Sequence, residues 1–582
     1  MKSKLIKTIL KRLALFIRHW PLILTFFIFA LLLAKNPFSD RTLIPNFEPF
    51  PDTFYYIVTP RCWLQEKEWQ LCREGASGIE SSVAPLYGMS LLPFFILNND
   101  PRMFYFANIT FAFTGLFFFY LIIKNIFDSA NFPKTKNLKK HLEDKKLIMG
   151  LPKANQEMSF LSSRCFLIFF ILFLYATSYR LYWYPTLAMA SNLLLPLFLL
   201  AAYLLIQPVS LFRTSLALAL AGSFFATKFS ALPLVPTYLV IYLFKILFQY
   251  KNNKKLLTRF ILLFSFFTIL ILSLKNFYLS KLIYSGLHGL LFSSPENRWF
   301  SFVYFQKNLD FYLKTLVGQP AKVLWDFRPF YPTWVGIGAI VGLFWALLKK
   351  QGFALSALLL LAAQVIFMSL FYDHDGRYIF IALPVIFIGF TYFLKFGTGL
   401  FSKINKQALL FNGKNIFLFF ISLVFLIYNA NNFTRIKSQI SLNLKYAEQP
   451  WYYLSVLEFN NFFAESTLPK KPILISAVAP FLIDFYSNNN YSPLPLSSAQ
   501  EFRGESRKKI WGKNDYSDLI KLYKSKIDAG FDVYITKYGL ENNTFKIADF
   551  KIINESFTLT KVHSGCHDQC NIYKLGLSPE NH

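Results

Sequence analysis

The chain has 582 residues, of which 54% are apolar and 69 are phenylalanine, and it carries a formal net charge of +29. That much apolar side chain cannot be buried in a soluble protein of this size without large exposed patches, so a polytopic membrane protein is expected. The charge would suggest a nucleic-acid partner, but its position argues against one. From Tyr446 to the end there are 15 Lys/Arg and 15 Asp/Glu, so the excess lies in the apolar part.

Taken in chain order, "MKSKLIKTILKRLALFIRH" places six cations before the first apolar run. Runs long enough to cross a bilayer, about 20 residues each, then recur from Pro21 to Tyr428. They predict spans near residues 20–36, 103–124, 164–182, 185–206, 213–227, 229–249, 257–278, 331–348, 353–372, 377–396 and 415–430. Eleven spans put the amino terminus inside and the tail outside. The nine cations between Lys124 and Arg164 agree with this, as do "KNNKK" (Lys251 to Lys255), "KKQ" (Lys349 to Gln351) and "KFGTGLFSKINK" (Lys395 to Lys406), all on the inner side. No small-residue cleavage pattern follows the first run, and ten further spans do, so it reads as a span and not a signal peptide. The expected location is the cytoplasmic (inner) membrane, multi-pass, with membrane lipids as partners.

Two expected outer loops are long, Pro37 to Pro101 and Ser280 to Phe330. The others, around Arg180 to Pro185, Thr227 to Phe229 and Asp373 to Arg377, are short. Irregular backbone survives near a bilayer only where protein or water covers it, so long loops on one face suggest a roofed cavity there. Within the second, "SPENRWFSFVYFQKNLDFYLKTLVGQPAKVLWDF" mixes aromatics and charges at helical spacing and reads as one or two interfacial helices or as a connector.

Beyond the last run the pattern changes. "QPWYYLSVLEFNNFFAES" reads as an amphipathic helix, "KPILISA" as a strand, "DYSDLIKLYKSKIDAG" as a helix with a glycine stop, and "FDVYITKYG" as a strand. "FKIADFKIIN", "FTLTKVHSG" and "CNIYKLG" follow. Alternating strands and helices predict a small α/β or α+β domain. The expected division is a multi-span membrane domain over 1–445 and a soluble extracytoplasmic domain over 446–582.

Four of the five cysteines fall outside in two close pairs, Cys62 with Cys72 and Cys566 with Cys570, as expected where disulfides form; Cys165 begins a span. The competing reading of "CHDQC", a metal site with His563 and His567, has a spacing unlike standard zinc knuckles.

One carboxylate stands apart. Glu66, Glu68 and Glu74 read as solvated loop acids, whereas Asp52 in "NFEPFPDTFYYIV" follows Pro51 and precedes Phe54, Tyr55 and Tyr56 at the membrane edge. Partial desolvation there would raise its basicity. Three cations, Arg102, Lys228 and Arg377, open or join spans on the expected outer face, where the positive-inside rule predicts few. Each alone could snorkel to headgroups; together they suggest an anionic group held at the rim.

These passages, "PDTFYY", "APLYG" to "NNDPRMFYFAN", "TKFSALPLVP" and "GRYIFIALP", resemble the C-type (GT-C) integral membrane glycosyltransferases, in the bacterial branch similar to protein mannosyltransferases and aminoarabinose transferases. The resemblance implies a GT-C-like fold and a polyprenyl-phosphate sugar donor presented at the outer leaflet. Asp52 would be the general base on an acceptor hydroxyl, and Arg377, Lys228 and Arg102 would hold the departing phosphate. The acceptor could be a lipid, a glycan or a protein. Glu48, Tyr56, His374 and Asp375 are accessory candidates. Relatives often pair the first-loop Asp with a nearby Glu, but here Thr53 follows Asp52 and the nearest acid is Glu48. No obligatory metal is therefore expected, although a divalent ion is compatible. Relatives also often carry Glu directly before Arg-Tyr, where this chain has Gly376.

Two other functions fit a polytopic chain: a lipid-linked sugar flippase or transporter, and a membrane-anchored binding protein acting through its tail. The candidate charges cluster at one face and no repeated halves are seen, which favours the enzyme.

Overall fold

The structure, a computed structural model, describes residues 19–31, 33, 51–67, 83–128, 154–178, 180–181, 184–274, 301–323, 328–404, 427, 458–459, 461–464, 470–476, 491–495, 516–537, 550–565 and 568–578. The chain divides into two compact units. One comprises Met1–Lys35, Ile109–Pro185 and Ser191–Thr434; the other comprises Asn36–Asn108, Thr186–Ala190 and Arg435–His582. The expected boundary near 445 lies outside the described residues.

The first unit is helical. Helix α1 is His19–Leu31. The first long loop, which belongs to the second unit, holds α2 (Pro51–Glu66) and α3 (Pro85–Leu97). Then follow α4 (Phe104–Asp128), α5 (Ala154–Ala176), α6 (Ser191–Ile206), α7 (Leu211–Thr227), α8 (Leu234–Tyr250) and α9 (Lys254–Leu274). After these come α10 (Phe305–Val317), α11 (Thr333–Leu348), α12 (Gly352–Ser369) and α13 (Ala382–Ile404). Among the described residues, three helices are long and apolar enough to cross a membrane on their own, namely Phe104–Asp128, Phe229–Tyr250 and Gly352–Ser369, and shorter apolar helices occupy most of the other expected spans. The span expected over 415–430 lies outside the described residues except residue 427. Helices α2 and α3 were not anticipated; their prolines at 51, 60, 85 and 93 read as loop, but two of them sit at helix starts, where a missing N–H costs nothing.

Two contacts fix the helix packing that matters here. Helices α11 and α13 cross through glycine: a Cβ on Gly389 would lie 2.6 Å from the Ala339 carbonyl oxygen, and one on Gly342 would meet the Gly389 carbonyl oxygen. Small residues let the two backbones touch, a packing device common between membrane helices. At the far end of α6, the Lys245 ammonium donates to the carbonyls of Leu204 and Leu205 at 2.8 and 2.7 Å and also to that of Gln207. Similarly, Lys395 Nζ donates to the Ile126 carbonyl near the end of α4 at 2.6 Å. Both cations therefore sit on the carbonyl-rich ends of helices, where the macrodipole favours positive charge.

Helix α10 lies in the second long loop, as its charge and aromatic spacing predicts. It ends at Gly318 in the left-handed region, φ 88°. Its buried Asn308 donates to the Phe371 carbonyl at 2.5 Å and so ties α10 to the carboxyl end of α12.

In the second unit, the tail forms a five-stranded mixed sheet of order β2-β1-β3-β5-β4, with β1 Ile473–Ser476, β2 Ser492–Pro495, β3 Val533–Thr536, β4 Phe557–His563 and β5 Ile572–Leu577. Strands β2, β1 and β3 are parallel; β5 runs antiparallel to both β3 and β4. Helices α14 (Tyr516–Asp528) and α15 (Phe550–Ser556) accompany it, and Ile475, Val533, Ile535 and Tyr523 build its core. Gly530, φ 77°, follows α14 as the glycine stop. Strand β2 was missed because Pro493 and Pro495 argue against a strand interior; it occurs at the sheet's edge, where proline is tolerated.

Cys62 is disulfide-bonded. Its expected partner, Cys72, lies outside the described residues. Cys566 lies outside the described residues; Cys570 is buried and closes a 3-10 turn, Asp568–Cys570, immediately before β5. Polar bonds hold that turn, with Asp568 accepting from Lys537 and, at 2.7 Å, from Asn571.

Candidate functional site

Helix α7 is started by Ser210, whose hydroxyl accepts from the Arg213 backbone N–H at 3.3 Å. It is stopped at Lys228, whose backbone is extended at φ −155°, ψ 122°. A short 3-10 turn, Phe229–Ala231, and Pro233 then redirect the chain into α8. This break turns Lys228 out of the helix, and its ammonium donates to Ser191 Oγ at the start of α6 at 2.9 Å and to the Arg377 carbonyl at 3.1 Å. Both acceptors are neutral oxygens that orient the ammonium.

Arg377 sits in the 3-10 turn Gly376–Ile379 that precedes α13. Buried Asp375 caps this turn: its Oδ1 accepts from the Arg377 backbone N–H at 2.8 Å, and its Oδ2 lies 3.6 Å from Arg377 Nε. The guanidinium also donates to the Tyr378 hydroxyl at 3.2 Å. The Tyr378 ring lies 5.1 Å from the guanidinium carbon of Arg377 and 5.7 Å from the Lys228 ammonium. Two cations thus approach one aromatic ring, whose π-system attracts positive charge.

The glycine before Arg377 is required by space. A Cβ on Gly376 would lie 2.8 Å from Val323 Cγ2 and 3.0 Å from Phe330 Cε1, while its N–H donates to the Lys322 carbonyl at 2.7 Å. A glutamate at this position has no room. Behind it, Phe330 also faces the guanidinium of Arg180 at 5.4 Å. Arg180 is fully buried, and its Nη2 donates to the Arg328 carbonyl at 2.5 Å. Sequence reasoning passed over Arg180 as one residue of a short turn; a charged residue flanked by aromatics there was the available signal.

His374 packs edge-on against Phe311 of α10 at 5.0 Å. Burial first, and then the nearby Lys307 charge, lower its pKa, against an opposing pull from Asp373; Lys322 adds to the lowering and Asp375 opposes it. The ring is therefore neutral near pH 7.

The remaining candidates belong to the second unit. Asp52 is the second residue of α2; its side chain lies outside what the structure describes, as does Glu48. Tyr56, on the same helix, is buried and packs edge-on against Tyr87 at 5.0 Å. The Tyr87 hydroxyl donates to Asn108 Oδ1 at 2.7 Å, and Asn108 Nδ2 donates to the Leu187 carbonyl at 2.9 Å, a buried network within the second unit. Arg102 is matched locally: its Nε donates to both oxygens of Asp100, each at 2.9 Å, and its Nη2 bonds the same carboxylate. Burial raises the pKa of Asp100, but the bonds and charge of Arg102, with Arg61 behind, hold it below the usual carboxylate range. Arg61, which sequence reasoning also missed, is buried, and its Nε donates to Asn99 Oδ1 at 3.1 Å. Among the described residues no group of three or more His, Cys, Asp or Glu could hold a metal ion; His563, three residues before "CHDQC", faces Glu458 at 2.7 Å.

Among solved structures, the chain is similar to ArnT from Cupriavidus metallidurans in the apo state, at 12% identity and a TM-score of 0.56, over 95% of this chain and 97% of that one. It is also similar to the same protein bound to undecaprenyl phosphate, at 9% identity and a TM-score of 0.57, with the same coverage of both chains. The fold is that of ArnT. The sequence resemblance to the GT-C glycosyltransferases is thereby borne out at the level of fold, and the chain is a polytopic helical membrane protein with a small carboxy-terminal sheet. No family model and no curated protein sequence matches it. Within the ArnT-like fold, Lys228 and Arg377, the latter with Asp375 at the start of its turn, come together from two sequence-distant turns.

Proposed function

We propose that this chain is a glycosyltransferase that moves a sugar from a polyprenyl-phosphate donor to an acceptor hydroxyl at the outer face of the cytoplasmic membrane. The observation that carries this reading is the convergence of Lys228 and Arg377 on the Tyr378 ring, in a fold shared with a protein crystallised with undecaprenyl phosphate. Two cations set at a membrane-helix terminus suit a lipid phosphate, with arginine able to bind two oxygens and lysine supplying a point charge.

In this reaction the acceptor oxygen attacks the anomeric carbon while the bond from that carbon to the phosphate oxygen breaks. The hydroxyl proton passes to the Asp52 carboxylate, and the electron pair of the broken bond leaves with the polyprenyl phosphate. Charge grows on the phosphate as the bond breaks, so Lys228 and Arg377 stabilise the transition state more than the ground state. Asp375 holds the Arg377 turn, and neutral His374 takes no part as a cation.

The test is transfer by the purified chain from radiolabelled polyprenyl-phosphate sugars, with release of lipid phosphate measured alongside. Labelled product with equimolar lipid phosphate supports the enzyme. Movement of intact lipid across vesicles without cleavage would establish a flippase instead.

A further inference from the structure

Gln364 lies in the interior of α12, in an otherwise apolar helix, and is 2% exposed. A buried amide in such a place is costly unless it is hydrogen-bonded. Its Nε2 donates to two carbonyls at 2.8 Å each: that of Ser230, in the turn directly after Lys228, and that of Tyr378, in the turn that carries Arg377. The orientation of the amide is fixed by chemistry, because exchanging its nitrogen and oxygen would set an acceptor against two acceptors.

We propose that Gln364 is a positioning residue that sets the spacing of the two phosphate-binding cations. Its two amide hydrogens go one to each turn, so a single side chain, anchored in a third helix, locks the Lys228 turn to the Arg377 turn. The direct bond from Lys228 Nζ to the Arg377 carbonyl closes the same gap from the other side, but it involves a cation that must also meet the lipid phosphate. The amide has no such second task. Its loss would leave both cations in place yet free to drift, and phosphate affinity depends on both reaching one group at once. The inference rests on the reading of Lys228 and Arg377 as a phosphate site.

The test is the affinity of the detergent-solubilised full chain for undecaprenyl phosphate, which carries no sugar and reports on the cations without turnover. Gln364→Leu removes both donors and is expected to weaken binding by about tenfold, equivalent to about 1.4 kcal/mol. In a Lys228→Ala background it is expected to cost no further affinity, since there is no pair left to space. Leu360→Ala, one turn earlier in the same helix and equally buried, opens a cavity but leaves both Gln364 bonds in place, and is expected to lower thermal stability while leaving affinity unchanged. Should Gln364→Leu fail to give a monodisperse protein, Gln364→Met removes the same donors with a straighter chain. Wild-type affinity in the Gln364 variant, or a loss that adds fully to that of Lys228→Ala, overturns the clamp alone. If the wild-type chain binds no undecaprenyl phosphate, the phosphate site itself is wrong and the clamp falls with it.

Discussion

The Lys228 ammonium hydrogen-bonds the backbone carbonyl of Arg377 at 3.1 Å, across 149 residues of sequence. One cation is therefore held in part by the main chain of the other. Arg377 is in turn held through its own backbone N–H by buried Asp375, and its guanidinium also faces the Asp375 carboxylate and the Tyr378 hydroxyl.

Replacing Arg377 by Ala is expected to weaken donor binding by about 10- to 100-fold, following the ~1.5–3 kcal/mol of a hydrogen bond to a charged group. Arg102→Ala is expected to leave donor affinity within about twofold, because its guanidinium is already matched by Asp100 and such part-exposed pairs contribute little. Titration with undecaprenyl phosphate separates the two; equal losses would return Arg102 to the site.

For Asp52→Asn the expected result is a fall in transfer rate of about two to four orders of magnitude, the range for a general base, with lipid binding unchanged. Initial rates with labelled donor decide it. Normal turnover by this variant would remove Asp52 from the chemistry.

Gly376→Ala would drive a methyl group into Val323 and Phe330. Overpacking of this kind costs about 1–3 kcal/mol, and here the displaced residue is the neighbour of Arg377. A lower melting temperature together with a raised donor KM is expected; a variant with both values unchanged would show that the turn has slack.

Gly342→Val tests the crossing of α11 and α13. A Cβ at position 342 already meets the Gly389 carbonyl and lies 2.5 Å from the Phe393 nitrogen, so the helices must separate. Loss of monodisperse protein, or a melting temperature lowered by several degrees, is the expected outcome in detergent.

His374 gives a pH dependence with a definite sign. Its folded pKa lies below the ordinary value of about 6.5, mainly through burial and the Lys307 charge. The unfolded chain then binds more protons, so the stability associated with the neutral ring is complete above about pH 6.5 and is lost as the pH falls through the folded value. Melting temperatures between pH 7.5 and 5 should fall less steeply for His374→Gln than for the wild type; parallel curves would mean the ring is in fact unperturbed.

Much of this was legible in the residues because hydrophobic period and charge position are local properties. Apolar runs, the glycine stop at Gly530, strands β1, β3, β4 and β5, and the candidacy of Lys228 and Arg377 all followed from short stretches. What escaped was decided by partners distant in sequence or by edges. The pairing of Arg102 with Asp100 and of Arg377 with Asp375, each two residues apart, came only with the side-chain geometry. Gln364 reads as one polar residue in an apolar helix; only the convergence of Ser230 and Tyr378 gives it meaning. Helices α2 and α3 were hidden by prolines that mark helix starts as readily as loops.

Strand β2 borders the tail sheet with proline at two of its four positions. Each proline removes a donor that an incoming segment would need. That margin is thus a poor template for strand addition, and a domain carried by a membrane-embedded protein at high local density is protected there from joining sheets with its neighbours.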